Sequence, residues 1–193
     1  MGPGAYTPQS RASMHVARML DPQPGERVLD LCAAPGGKTT HVAALMGGTG
    51  EVVAVERHAG RARALAATCA RQQATSVQVV VADAGGPLPD GPFDRVLLDP
   101  PCSGLGTVNR HPDLRWRMSP GGVERLAAAQ KRYLAAAVGA VRPGGVVVYA
   151  TCTLSERENE RVVAAGALPE TARRVLLPHR DGTDGFFISR LGG

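Results

Sequence analysis

Residues 27–40, RVLDLCAAPGGKTT, decide the fold of this chain. Arg27–Cys32 is an apolar run with strand character, and Gly36 and Gly37 allow a tight turn before a helix opens. A strand that passes through a glycine-rich turn into a helix is typical of the first half of a βαβ unit. The start of that helix also offers unpaired N–H groups, so the turn is a candidate ligand site.

The rest of the chain continues the alternation of strands and helices. Four further apolar runs are predicted as strands: Glu51–Glu56, Ser76–Ala82, Phe93–Asp99 and Val146–Cys152. Apolar residues recur at helical spacing in Arg61–Gln73 and Gly122–Val141. This order predicts an α/β fold with a mostly parallel sheet and right-handed crossovers. Val175–Leu177 and Gly185–Leu191 are separated by a short connection and predict a terminal antiparallel hairpin.

Composition and length narrow the class of protein. The chain has 193 residues, 44% of them hydrophobic and 20% charged, which predicts one packed domain over residues 1–193 with residues 1–26 as a helical lead-in. No apolar run approaches the ~20 residues of a membrane helix, and the first ten residues lack the zones of a signal peptide. We therefore expect a cytoplasmic protein with no membrane partner.

Charge and cysteine spacing restrict its ligands. The net charge of +5 is compatible with an anionic partner. The four cysteines, at 32, 69, 102 and 152, contain no C-x-x-C pair, so we expect no metal site and reduced thiols. Cys69 and Cys32 are interpreted as buried, structural cysteines.

Acidic residues at two strand ends point to a nucleoside cofactor. Glu56 ends the second strand, where an acid typically binds the two ribose hydroxyls, and Asp83 follows the third strand, where it can bind an adenine amino group. The turn matches neither the G-x-G-x-x-G pattern nor the phosphate-binding G-x-x-x-x-G-K-[ST] pattern. S-adenosylmethionine therefore fits better than a nucleotide phosphate, and the strand ends would form one crevice.

Two cysteines follow strands in a way that suggests chemistry. LLDPPCSGLGT, residues 97–107, places Asp99 at a strand end and Cys102 in a Pro/Gly-rich loop, where packing is poor. In YATCTLSERENE, residues 149–160, Cys152 ends the fifth strand and Ser155 and Glu158 have capping-box spacing. A helix starting near Ser155 would favour the Cys152 thiolate through its dipole. Adjacent strands would bring the two thiols together.

These motifs together resemble the RNA (cytosine-5)-methyltransferase family of the Fmu/Sun (NSUN) type. The resemblance rests on DLCAAPGGKT, Glu56, Asp83, DPPCSGLGT, HPDLRWR, RPGG, YATCTLSERENE and the final DGTDGFFISRL. TPQSRAS near the start is similar to a further family segment in Gln9, Ala12 and Ser13. The match runs in order along nearly the whole chain.

The resemblance implies a class I S-adenosylmethionine-dependent methyltransferase fold, Rossmann-like, with seven strands of which the last is antiparallel. It implies that these residues line the cofactor site: Cys32, Ala33, Ala34, Pro35, Gly36, Gly37, Lys38, Glu56, Asp83 and Asp99, with Arg61 beside the adenosine. It further implies that the Cys152 thiolate attacks carbon 6 of cytosine in RNA, and that Cys102 assists product release. Asp99 would hold the base, and Lys38 would orient Asp99 or the base.

Several points stay open at the level of sequence. The family usually carries an N-terminal RNA-binding domain, which we expect to be absent here, and we expect a monomer whose RNA is ribosomal rather than transfer RNA. Seven arginines are either phosphate contacts or ordinary surface: Arg110, Arg115, Arg117, Arg157, Arg161, Arg173 and Arg174. A nucleic-acid or protein N-methyltransferase is the alternative enzyme, and a non-catalytic, cofactor-binding RNA module is the alternative class. The cysteine pair argues against both.

Overall fold

The computed structural model describes residues 6–193, so the first five residues of the predicted lead-in lie outside it. Its strands are β1 Arg27–Leu31, β2 Glu51–Val55, β3 Val77–Val80, β4 Phe93–Leu98, β5 Val141–Thr151, β6 Glu170–Leu176 and β7 Phe186–Gly192. Its helices are α1 Arg11–Leu20, α2 Gly37–Leu45, α3 Ala59–Arg71, α4 Leu114–Arg117, α5 Pro120–Ala140, α6 Glu160–Val163 and α7 Pro178–Asp181. A 3₁₀ turn covers Leu105–Thr107.

The strands form one seven-stranded sheet in the order β3-β2-β1-β4-β5-β7-β6. Strands β1 to β5 pair in parallel, and β7 runs antiparallel to both β5 and β6. The prediction of a mostly parallel sheet with an antiparallel last strand is therefore confirmed. So is the terminal hairpin, because β6 and β7 pair directly.

Helices cover both faces of the sheet, which explains why the central strands are nearly continuous apolar runs. On one face Val28 and Val52 pack with residues of α1 and α2, while Leu65 and Cys69 of α3 pack against Ala54 beside them. On the other face, Leu29 and its neighbours pack with α5 and α6. The carboxyl ends of the parallel strands meet at one edge, which these two layers leave as a crevice.

Several element boundaries differ from the sequence prediction, and β6 begins at Glu170 rather than Val175 because its first residues also pair with β7. Strand β5 begins at Val141 rather than Val146, because Val141 leaves the helix in an extended conformation and pairs with Phe93. The helix expected near Ser155 begins only at Glu160. The capping-box prediction is wrong because the Glu158 carboxylate turns into the protein and accepts a hydrogen bond from the Ser103 N–H group.

Candidate active site

Two thiols lie in contact at the carboxyl edge of the sheet. Cys102 belongs to the loop after β4, Cys152 directly follows β5, and these strands are neighbours in the sheet. The two Sγ atoms are 3.3 Å apart, and neither cysteine is in a disulfide. The prediction that the thiols meet across adjacent strands is confirmed.

The contact between the thiols makes them unequal acids. The hydrogen bond that Cys102 provides lowers the pKa of Cys152, with a further lowering from the nearby Lys38 charge. The same hydrogen bond, together with burial, raises the pKa of Cys102 well above the ordinary thiol value. Cys152 is therefore the more acidic thiol of the pair and Cys102 the less acidic one. The helix dipole expected from the sequence is not the cause, since α6 starts eight residues after Cys152.

Lys38 and Asp99 form an ion pair beside the thiols. Lys38 lies in the first turn of α2 and Asp99 follows β4, and Lys38 Nζ is 2.5 Å from Asp99 Oδ2. Burial is the largest single influence and lowers the pKa of Lys38, but the charge and hydrogen bond of Asp99, together with the charges of Asp30 and Cys152, outweigh it and the pKa is raised. The ammonium group also lies 5.6 Å from the centre of the Phe186 ring. The ion pair fixes the direction in which Asp99 presents its carboxylate.

Sequence reasoning missed Asp30 as a site residue. Asp30 is only 1% exposed and accepts a 2.7 Å hydrogen bond from the Thr39 hydroxyl. Burial raises its pKa to about 7, with a smaller raising contribution from Asp99. The signal was available in the sequence, because a carboxyl group inside the apolar run RVLDL has to be buried and needs a partner.

A buried polar network holds the loops that carry the thiols. The Glu158 carboxylate accepts hydrogen bonds from the Ser103 N–H group at 2.8 Å and from the Gln130 amide at 3.1 Å. Gln130 also donates to the carbonyl of Pro101 at 2.9 Å. The hydroxyls of Ser103 and Thr153 are 2.8 Å apart, which ties the Cys102 loop to the Cys152 loop.

A cavity of about 340 Å³ opens at the ends of β1 and β2. Glu56 is 2% exposed and lines it, and its carboxylate accepts a hydrogen bond from the His58 N–H group. Arg61 stands at the rim, 3.5 Å from the Glu56 carboxylate, and donates to the carbonyl of Ala34. Asp83 is exposed and accepts a hydrogen bond from the Gly85 N–H group, while Ala82 and Ala84 line the cavity.

A second cavity, of about 200 Å³, shares Cys32 with the first. Its walls include most of the predicted turn and both members of the ion pair: Cys32, Ala33, Ala34, Pro35, Gly37, Lys38 and Asp99. Gln9 and Ser13, from the start of the chain, also line it, together with Asp30. Gly36 has a φ of 106°, and a Cβ there would lie 2.8 Å from Leu65, so the turn requires glycine.

The two cavities fit a nucleoside joined to a small zwitterion. Their combined size lies in the range of small-molecule sites. The first supplies a buried carboxylate suited to ribose hydroxyls, and the second supplies polar and charged side chains next to the thiols. Cys32 sits where they join, and burial raises its pKa to about 12, so it stays a neutral wall residue.

Residues 6–193 contain no group of three or more His, Cys, Asp or Glu side chains that could hold a metal ion. In the same part of the chain, no helix has the length and apolar character needed to cross a membrane.

The sheet order, with its antiparallel seventh strand and its crevice at the strand ends, defines a Rossmann-like S-adenosylmethionine-dependent methyltransferase fold. Within that class the chain belongs to the 16S rRNA methyltransferase RsmB/F family, whose model matches residues 17–172. The structure of NSun6 from Pyrococcus horikoshii with SFG is similar, with a TM-score of 0.88 and 35% identity, over 98% of this chain and 53% of that one.

Curated relatives agree with this assignment. A Synechocystis protein named "Probable ribosomal RNA small subunit methyltransferase B" is 40% identical over 97% of this chain and 48% of its own length. Ribosomal RNA small subunit methyltransferase B of Pectobacterium carotovorum is 38% identical over 97% of this chain and 47% of its own length. The chain thus spans about half the length of the curated relatives it matches.

Proposed function

We propose that this chain methylates carbon 5 of cytosine in RNA, with S-adenosylmethionine as methyl donor and Cys152 as the nucleophile. The observation that carries the proposal is the thiol pair, whose Sγ atoms are 3.3 Å apart and whose pKa values are shifted in opposite directions. The pair lies beside Lys38 and Asp99, which line the second cavity. A methyltransferase acting on a nitrogen has no use for two contacting thiols of unequal acidity. Ribosomal RNA is the proposed substrate, because the family and the relatives carry that name.

The thiol pair suits a reaction in which carbon 5 must first become nucleophilic. The Cys152 thiolate adds to carbon 6, which pushes electrons toward carbon 5 and makes it a nucleophile. Asp99, fixed by Lys38, holds the ring nitrogen and amino group of the base and favours this addition. Once carbon 5 carries its methyl group, water takes up the carbon-5 proton, the electrons of that C–H bond return to the ring, and the bond between carbon 6 and Cys152 Sγ breaks to release the Cys152 thiolate. Cys102 stands in contact with the departing sulfur and assists that step.

The cofactor site divides between the two cavities. S-adenosylmethionine supplies an electrophilic methyl group when it is bound. Glu56 would hold the ribose hydroxyls and Arg61 would border the adenosine, with Asp83 at the outer edge. The turn from Cys32 to Lys38 would contact the amino-acid part, since its residues line the second cavity.

We propose that the chain works as a monomeric catalytic domain over residues 1–193, in the cytoplasm.

A trapping experiment tests this proposal. Cys102→Ala is incubated with S-adenosylmethionine and RNA, and protein–RNA adducts are sought on denaturing gels. We expect adducts that disappear in the Cys102→Ala/Cys152→Ala double variant, and 5-methylcytosine by nucleoside mass spectrometry with the unmodified chain. Cys69→Ala, at a buried thiol on α3, is the matched control and should behave like the unmodified chain. Methyl transfer that survives in Cys152→Ala, or a methyl group found on nitrogen, would reject the mechanism.

A further inference from the structure

An exposed apolar surface lies next to the thiol loops. Trp116 in α4 is 89% exposed, and Leu105 and Leu154 are 37% and 42% exposed. A tryptophan with most of its surface in water is unusual, because the ring carries a large apolar area. Leu105 follows Cys102 by three residues and Leu154 follows Cys152 by two, so the surface begins where the site ends.

A shallow hollow of about 380 Å³ lies next to these residues: Leu105 lines it, and so do Leu114, Arg115 and Met118, which flank Trp116 in sequence. Its floor is apolar, with Leu114, Met118 and Val123 among the lining residues. Arg115 and Arg157 stand in the lining, and no acidic residue does. Apolar contact area bordered by guanidinium groups complements a partner with flat bases and negative phosphates.

The two arginines that line the hollow, Arg115 and Arg157, are accessible to a phosphate group. Arg115 is exposed and forms no ion pair with any residue in the described part of the chain. Arg157 pairs with Glu124 at 2.7 Å, but both side chains are about half exposed, and such a surface ion pair is weak. A phosphate would therefore compete well for both guanidinium groups.

Backbone contacts couple this surface to the reacting thiols. The Gly106 N–H group donates to the carbonyl of Cys152 at 3.0 Å, and the Gly185 N–H group donates to the carbonyl of Gly106 at 2.8 Å. A Cβ at Gly106 would come 2.1 Å from the Gly185 carbonyl oxygen, so the loops are in close contact. Leu114 of the hollow packs against Gly104 of the Cys102 loop. A group bound here has a defined position relative to Cys152.

We propose that this surface binds the single-stranded nucleotides next to the target cytosine, with one base stacked on Trp116 and phosphates on Arg115 and Arg157. The proposal rests on the proposed function and deepens it, because it makes the substrate a single-stranded RNA segment with an unstacked neighbour base. An extruded target base leaves its neighbours unstacked, and an exposed indole ring replaces the lost stacking.

Tryptophan fluorescence gives a direct test, because Trp116 is the one tryptophan of the chain. The chain is titrated with a short single-stranded RNA containing one cytosine, in the presence of S-adenosylhomocysteine so that no turnover occurs. We expect saturable quenching by this RNA, and weaker quenching when the bases beside the cytosine are replaced by abasic sites. The same sequence as a duplex should quench little, since its bases are already stacked.

Variants separate stacking from charge. Trp116→Ala should raise the Kd for the RNA about 5- to 150-fold, the equivalent of ~1–3 kcal/mol per stacked base, while Trp116→Phe keeps a ring and most of the affinity. Arg115→Ala and Arg157→Ala should each lower the slope of log Kd against log salt by about 0.7. Arg71→Ala, an exposed arginine at the end of α3, is the matched control and should leave the slope unchanged.

The outcomes distinguish this proposal from the one on which it rests. RNA binding without quenching, or a Kd in Trp116→Ala equal to that of the unmodified chain, would overturn the docking surface and leave the apolar hollow to another kind of partner. If Trp116→Ala loses affinity for both RNA and S-adenosylhomocysteine, the variant is misfolded. The fluorescence quenching of the unmodified chain by RNA then decides whether Trp116 contacts a base. Quenching without 5-methylcytosine in the turnover assay would reject the proposed function and support the surface.

Discussion

The buried carboxylate of Glu158 offers a sharp test of how the thiol loops are held. Glu158 is 0% exposed and is the acceptor for the Ser103 N–H group and for one of the two bonds of Gln130. Glu158→Gln and Glu158→Ala both remove the ionisable carboxyl group, but only glutamine keeps a carbonyl acceptor there. The difference in stability between the two variants therefore isolates the hydrogen bonds and the side-chain packing.

The expected difference follows from two contributions. In Glu158→Ala the buried Ser103 N–H group loses its partner, at a cost of about 1–3 kcal/mol. Loss of one buried methylene adds about 0.8 kcal/mol. The Glu158→Ala variant should therefore be less stable than the Glu158→Gln variant by about 2–4 kcal/mol. With urea m-values of about 1–3 kcal/mol per molar, the midpoints should differ by about 0.7–4 M.

The matched control is two residues away. Glu156 is exposed, and its one ion pair within residues 6–193 is with exposed Arg161, so Glu156→Ala and Glu156→Gln should unfold within about 0.5 kcal/mol of each other. Urea unfolding followed by circular dichroism measures all four variants. A gap at position 158 as small as the gap at position 156 would refute the view that Glu158 holds the Cys102 loop.

Two further predictions concern titration. The rate of alkylation of Cys152 by iodoacetamide should rise with pH around a midpoint below the ordinary thiol pKa. In Cys102→Ala that midpoint should move to higher pH, because the hydrogen bond that lowers the Cys152 pKa is lost. An unchanged midpoint would contradict the assignment of Cys102 as donor. Burial raises the pKa of Asp30 from 3.8 to about 7, so between these values the folded chain keeps a proton that the unfolded chain has released, and its stability falls as pH rises. In Asp30→Asn the free energy of unfolding should lack this fall, which amounts to up to ~1.4 kcal/mol per pH unit. If the free energy of unfolding changes with pH in the same way for both proteins, Asp30 does not titrate as described.

Much of the architecture could be predicted from local patterns. Alternation of apolar runs with helical periodicity determined the α/β class, because each parallel strand needs a crossover before the next. Order along the chain also placed Glu56 and Asp99 at strand ends, and therefore at one edge of the sheet. The tight turn between the first strand and helix could be predicted from Gly36, and the φ of 106° at this residue explains why other side chains would be strained there.

Other features depend on contacts between segments far apart in sequence. The capping-box spacing at Ser155 was present, yet the Glu158 carboxylate bonds to Ser103, 55 residues earlier, and the helix starts later. Residue spacing shows that a local cap is possible, but it does not show that a partner distant in sequence competes for the same carboxylate. That partner comes close only when the sheet has assembled.

The sequence by itself determined which residue types stand at the strand ends, including the two cysteines of the site. Tertiary structure alone decided their relative acidity, because the pKa of Cys152 depends on a thiol 50 residues away that lies 3.3 Å from it. It alone also decided that Lys38 pairs with Asp99, and that Trp116 faces solvent. Acidity and exposure are properties of the packed surroundings, which no local pattern contains.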